Sequence, residues 1–179
     1  MLSDTCASRK DPRALNMQRP TRPPNRYMMS SANAPLIRVL VAEDFEAFRK
    51  FLCAQLLRRP DLKLVCEVSD GLEAVQKAHE LKPDLILLDI GLPGLDGIEI
   101  ARHIRQHAPD TKILFCTQEC DMEVVQAAFN VGGHGYVFKA DAGRELLLAL
   151  DVVLKGERFI GNRFAAPIST GGDGFVASE

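Results

Sequence analysis

Five side chains stand where short apolar runs end, and together they suit a divalent cation and a phosphoryl group. Glu43 and Asp44 follow the run Ile37-Arg38-Val39-Leu40-Val41. Asp89 closes Leu85-Ile86-Leu87-Leu88, Thr117 closes Ile113-Leu114-Phe115-Cys116, and Lys139 closes Tyr136-Val137-Phe138. Mg²⁺ takes oxygen ligands in an octahedron and keeps several waters. Asp44 and Asp89 can each give one oxygen, a loop carbonyl just after Asp89 a third, and Glu43 can bind directly or through water. Crowded carboxylates raise one another's pKa unless a cation neutralises them. With the metal in place, the Asp89 carboxylate can attack an electrophilic phosphorus and form an acyl phosphate. Lys139 offers a point charge to the phosphoryl oxygens and Thr117 a hydroxyl donor.

The elements that must bring these groups together are legible in the periodicity. From 36 to about 155 the pattern alternates strand and helix five times. Strands are expected near 37–42, 63–68, 84–88, 112–116 and 135–138. Helices are expected where apolar residues recur at 3.6-residue spacing, such as Phe48, Phe51, Leu52 and Leu56, or Leu146, Leu147, Leu150, Val153 and Leu154. The first, third and fourth strands are nearly continuous apolar runs, as in a parallel sheet covered on both faces. Alternating βα units imply right-handed crossovers. The expected architecture is an α/β, doubly wound, five-stranded parallel sheet of order 2-1-3-4-5. Its switch point falls between the first and third strands, which carry Asp44 and Asp89, and ligands bind at that edge. Leu92-Pro93-Gly94 predicts a tight turn directly after Asp89. Asp96 is then placed to cap the third helix.

These residues resemble the receiver domain of bacterial two-component response regulators. The matching pieces are Glu43-Asp44, Asp89 within Leu-Leu-Asp-Ile-Gly-Leu-Pro-Gly-Leu-Asp-Gly, Thr117, and Lys139 in Gly-Tyr-Val-Phe-Lys. The resemblance implies a flavodoxin-like receiver fold over 36–160 and a set of roles. Asp89 would be the phospho-acceptor. Glu43, Asp44 and Asp89 would bind Mg²⁺ with the Gly91 backbone. Thr117 would be the switch hydroxyl, Lys139 the phosphate-binding lysine, and Tyr136 the aromatic that changes rotamer. The last strand and helix look most like receivers that usually precede a helix-turn-helix DNA-binding domain. Two positions depart from the common pattern: Gln118 stands where members often have Ala, and Ala140 where many have Pro. A cis peptide at Ala140 would cost about 3–4 kcal/mol.

Composition narrows the function classes. The 179 residues are 46% hydrophobic with a net charge of −2, so no global field points to nucleic acid or membrane. Residues 1–35 carry six basic and two acidic groups, a net of +4 that leaves −6 for the remainder. Their Pro- and Arg-rich composition reads as a disordered extension. Three explanations stand: a basic tail that meets a partner, an Arg-rich transit segment, or translation that starts at Met28 or Met29. Residues 161–179 read as a flexible Gly-rich tail. The five cysteines show no CxxC pair, which suits a reducing cytoplasm. No apolar run approaches the ~20 residues of a membrane span. His79, His103, His107 and His134 read as surface residues. His103 and His107 have the i, i+4 spacing of a zinc-binding pair, but the sequence offers no evident third ligand.

The expected function is a stand-alone response regulator. A histidine kinase or phosphotransfer protein would phosphorylate Asp89, and the face made by the fourth helix, fifth strand and fifth helix would then meet a downstream protein or a second copy. Such a chain is not an enzyme beyond its own aspartyl phosphorylation and dephosphorylation. An alternative is a remnant transcriptional regulator that binds DNA through the basic tail or a partner. A Mg²⁺-dependent phosphatase is a third reading, but it would need an acid two residues after the nucleophile, where Gly91 stands.

Overall fold

In the computed structural model, which describes residues 35–164 and 175–177, the apolar runs lie side by side as parallel strands. These are β1 (Ile37–Ala42), β2 (Leu62–Val68), β3 (Leu85–Leu88), β4 (Lys112–Thr117), β5 (Gly135–Phe138), β6 (Arg158–Ile160) and β7 (Phe175–Ala177). Five helices connect the first six: α1 (Glu46–Leu56), α2 (Gly71–Leu81), α3 (Gly97–His107), α4 (Met122–Asn130) and α5 (Ala142–Leu154). The sheet order is β2-β1-β3-β4-β5-β6-β7. The expected 2-1-3-4-5 core is therefore present, with Val41 opposite Leu87 and Leu87 opposite Leu114.

Side-chain alternation splits the core into two layers. Leu40, Ile86, Leu88, Ile113 and Phe115 face α2, α3 and α4. Val39, Val41, Leu85, Leu87 and Leu114 face α1 and α5. All of these strand residues are wholly buried. That explains why β3 and β4 read as unbroken apolar runs: both of their faces are covered. Asp96 caps α3 as expected, accepting from the Ile98 and Glu99 amides at 2.9 and 3.0 Å.

The five-stranded expectation needs extending. Beyond β5, Arg158–Ile160 adds a sixth parallel strand, with Gly135 opposite Phe159 and Tyr136 opposite Ile160. The physical reason is burial: Phe159 and Ile160 lose nearly all exposure while β5 gains a backbone partner. Glu145, itself buried, accepts the Asn162 amide at 3.0 Å and ties the chain after β6 to α5. Of the tail expected over 161–179, Asn162–Phe164 forms a 3₁₀ turn and Phe175–Ala177 pairs with β6 as β7. Gly161, at the start of that tail, is buried and its amide donates to the Tyr136 carbonyl at 2.9 Å; the rest of the tail and the expected disordered extension, except Pro35, lie outside the described residues.

His134 is not the free surface residue that the sequence suggests. Its amide donates to the Ile113 carbonyl at 2.8 Å, and its Nδ1 accepts the Ile113 amide at 3.2 Å. Burial, with Arg105, Lys112 and Arg158 nearby, pushes its pKa down to about 4. The unfolded chain therefore takes up this proton first, near the ordinary 6.5. Its contribution to stability is complete above that pH and is lost as pH falls toward the folded value, on the order of 2 kcal/mol in all. Denaturant titrations between pH 7 and 4.5 should show this slope in the wild type. His134→Asn, which keeps an acceptor, should flatten it.

Candidate functional site

The carboxyl edge of the sheet gathers the predicted acids. The Glu43 amide donates to Val68 and the Asp89 amide to Ala42, both at 3.0 Å, so β1, β2 and β3 end in register. Glu43 is fully buried and Asp89 nearly so, whereas Asp44 opens to solvent. Oxygens from Glu43, Asp44 and Asp89 lie within 4.8 Å of one another. Lys139 reaches in from the end of β5. Its Nζ donates to Glu43 Oε1 and Asp89 Oδ2, each at 2.8 Å. The Phe48 ring lies against the same ammonium, 5.1 Å from its centroid.

Charge in this pocket does not balance. Lys139 brings one positive charge against two buried carboxylates and a third beside them. Burial raises the pKa of Glu43, and the neighbouring Asp89 adds to this, while Lys139 and the Phe45 amide oppose it. Burial pulls the Lys139 pKa down, but its bonds to Asp89 and Glu43 outweigh burial and leave it raised. Glu43 Oε2 also lies 2.8 Å from the ammonium but has no hydrogen-bond partner. A buried carboxylate oxygen without a partner costs free energy. A hard divalent cation held by Asp44, Asp89 and Glu43 would supply the missing charge. Gly91 leaves the approach open, since even a Cβ there would stay 3.7 Å from Asp89 Oδ2.

Thr117 and Tyr136 occupy the expected strands, but each is tied elsewhere. Thr117 Oγ1 accepts the Glu119 amide at 3.3 Å. The Tyr136 hydroxyl donates to the Glu119 carbonyl at 3.0 Å, and its ring is wholly buried against Phe115 and Phe164. Glu119 thus links both residues through its backbone. The Lys139–Ala140 peptide is trans, and Lys139–Asp141 forms a 3₁₀ turn leading into α5. Gln118 lines a cleft of about 390 Å³ with Phe45, Phe48, Phe138, Lys139 and Ala140.

Two residues of the pocket escape the sequence reading. Arg49, which reads as part of a solvated helix face, donates to the carbonyls of Glu43 and Asp44 at 2.7 and 3.1 Å. Phe48 reads as core, yet it packs on the Lys139 ammonium. The available signal was position: both lie one helical turn beyond the acidic pair, on a helix that starts at the site.

Glycine sets the turn after Asp89. Gly94 has φ +80°, a left-handed conformation that favours glycine. Gly97 opens α3 so close to β3 that a Cβ would come within 2.4 Å of the Asp89 carbonyl oxygen and 2.7 Å of Ile90 Cα. Both contacts are backbone, so neither can swing away. Gly97→Ala should cost roughly 1–3 kcal/mol, read as a lower denaturant midpoint.

A doubly wound parallel sheet with an acid cluster and a lysine at its switch-point edge defines a receiver-type fold. The response regulator receiver domain family matches residues 39–151, and the chain belongs to that family. The transcriptional regulatory protein LiaR of Bacillus subtilis (strain 168) is 35% identical over 133 residues, which is 74% of this chain and 63% of that protein. The response regulator protein VraR of Staphylococcus aureus (strain NCTC 8325 / PS 47) is 34% identical over 68% of this chain and 58% of its own. The chain thus spans about six-tenths of the length of these curated relatives. Among solved structures, a LuxR-family two-component response regulator from Aurantimonas sp. SI85-9A1 superposes with TM-score 0.65 and 34% identity, covering 69% of this chain and 88% of that one. The receiver domain of the putative response regulator NarL from Mycobacterium tuberculosis gives TM-score 0.66 at 27% identity, covering 69% and 100%.

Proposed function

We propose that this chain is a phosphorylation-driven signalling switch whose acceptor is Asp89. The observation that carries the reading is the Lys139 ammonium held between Glu43 and Asp89, with Asp44 beside them at the sheet edge. A histidine kinase or phosphotransfer protein presents a phosphohistidine. An Asp89 oxygen attacks phosphorus, the phosphorus–nitrogen bond breaks, and the imidazole leaves with the electron pair. Lys139 moves from the carboxylates onto the phosphoryl oxygens. Glu43, Asp44, Asp89 and the Gly91 carbonyl would hold Mg²⁺, whose charge would offset that of the acids and the phosphoryl group. Water later hydrolyses the acyl phosphate, so the chain turns over only its own modification.

The output follows from Glu119. A Thr117 hydroxyl that turns to a phosphoryl oxygen gives up the Glu119 amide, and the same loop holds the Tyr136 hydroxyl. Phosphorylation then shifts the population of the α4–β5–α5 face. A downstream protein, or a second copy of the chain, reads that face at α4 and α5, with β6 beside β5. A second reading draws on LiaR, which is named a transcriptional regulatory protein: the receiver would then govern DNA binding in a longer protein. Steep salt dependence of DNA binding, lost on deleting residues 1–35, would favour a tail-mediated form of it.

The test is intact mass after incubation with Mg²⁺ and a small phosphodonor. One phosphoryl adduct per chain, abolished by chelating Mg²⁺, is expected. A folded chain that gains no adduct and binds no beryllofluoride would overturn the proposal.

A further inference from the structure

At the opposite edge of the sheet from Asp89, where α2 and α3 end, the two helices leave a cleft of about 330 Å³. Three histidines line it: His79 from the last turn of α2, and His103 and His107 from α3. Its floor is apolar, formed by Ala78, Ile104 and Ala108. We propose that His79, His103 and His107 form a binding site for a divalent transition-metal ion of the zinc class, separate from the acidic pocket.

The rings approach the arrangement of a three-histidine site, although their nitrogens do not all lie within 4.8 Å of one another. The rings of His103 and His107, four residues apart on one helix face, are stacked with centroids 6.4 Å apart. The His79 ring approaches that of His107 edge-on at 6.0 Å. Zinc–nitrogen bonds of about 2.1 Å in a tetrahedron put imidazole centroids roughly 5 Å apart. His107 therefore needs to close on each of its two neighbours by about 1 Å, and χ rotation of three exposed side chains lets the rings turn toward a common point.

The protonation pattern suits a ligand. His107 Nδ1 lies 3.0 Å from the His103 carbonyl oxygen. A carbonyl only accepts, so Nδ1 carries the proton and Nε2 keeps its lone pair. Metal-bound histidines are commonly oriented by this kind of bond from the second ring nitrogen. The ligands are neutral imidazoles, so the site selects Zn²⁺, Ni²⁺ or Cu²⁺ over the Mg²⁺ that suits carboxylates. Glu80, the nearest acid in the cleft, bonds to Gln76 and Lys77, which leaves the fourth position to water or an exogenous ligand. The ion would clamp α2 to α3, the helix that begins at the Asp89 turn.

The test is equilibrium dialysis of the full chain against Zn²⁺ in a buffer saturating in Mg²⁺, with thermal unfolding alongside. One Zn²⁺ per chain and a raised Tm are expected. His107→Ala should remove both, and His79→Ala should weaken binding at least tenfold. Asp44→Asn and Cys120→Ser should leave both unchanged. Zinc binding that survives the triple His→Ala variant, or that is lost in Asp44→Asn, would overturn the proposal, as would a His79→Ala variant that binds like the wild type or a wild type that binds no zinc.

Discussion

Asp89→Asn should gain no phosphoryl adduct under conditions that modify the wild-type chain in Mg²⁺. Only an anionic oxygen at this position can displace the donor, and the amide has no such nucleophile. Misfolding would not explain the loss, because the variant is nearly isosteric and relieves a strain. Asp89 adds its charge to the burial that raises the Glu43 pKa. Removing it leaves Lys139 facing a single buried carboxylate. In the absence of Mg²⁺ the variant should be at least as stable as the wild type in a denaturant titration. Phosphodonor and intact mass then isolate chemistry from folding. An adduct that persists on Asp89→Asn would move the acceptor to Glu43 or Asp44. Thr117→Ala gives the contrasting outcome: it should still be modified, because Thr117 Oγ1 bonds to the Glu119 amide rather than to either carboxylate.

The acid cluster was legible because strand ends are legible. β1 and β3 are apolar on both faces, so a carboxylate directly after each can only project from the sheet edge. Parallel pairing then fixes which ends meet. Lys139 followed from the same logic, although 96 residues separate it from Glu43. What sequence did not supply were contacts made between elements with weak local signals. β6 is three residues long and flanked by Gly156 and Gly161, so no periodicity marks it. His79 joins His103 and His107 only because α2 packs on α3, a neighbour relation that no spacing encodes. The resemblance marks Tyr136 as the aromatic that changes rotamer, and no local pattern shows how deeply it is buried. Its complete burial depends on Phe164, which lies in the segment that reads as tail. Arg49 sits on a face whose charges resemble those of any solvated helix, and only the fold brings it back over the Glu43 and Asp44 carbonyls.

Lys139→Met should destabilise the chain without Mg²⁺ by about 3 kcal/mol and make it bind Mg²⁺ more tightly. Methionine keeps the length of the side chain and its packing on Phe48 but removes the ammonium. Lys139, Glu43 and Asp89 have side chains exposed by only 9%, 0% and 6%, so solvent and salt cannot replace the lost charge. Breaking a buried pair from one side typically costs 3–5 kcal/mol. The pH dependence carries a definite sign. Glu43 is already raised above its ordinary pKa by burial, and loss of Lys139 raises it further, so the folded variant holds that proton to higher pH than the unfolded chain does. The deficit relative to wild type should therefore be fully present above the raised folded pKa and shrink as pH falls through it. Lys139 and Mg²⁺ draw on the same carboxylate oxygens. Removing the ammonium frees Asp89 Oδ2 and Glu43 Oε1 for the metal, and saturating Mg²⁺ should restore most of the lost stability through linkage. Phosphorylation should still slow by about 10²–10³-fold, because Mg²⁺ cannot take over the Lys139 contact to the phosphoryl oxygens. A variant as stable as wild type, with unchanged Mg²⁺ affinity, would mean that the ammonium does not neutralise the pocket.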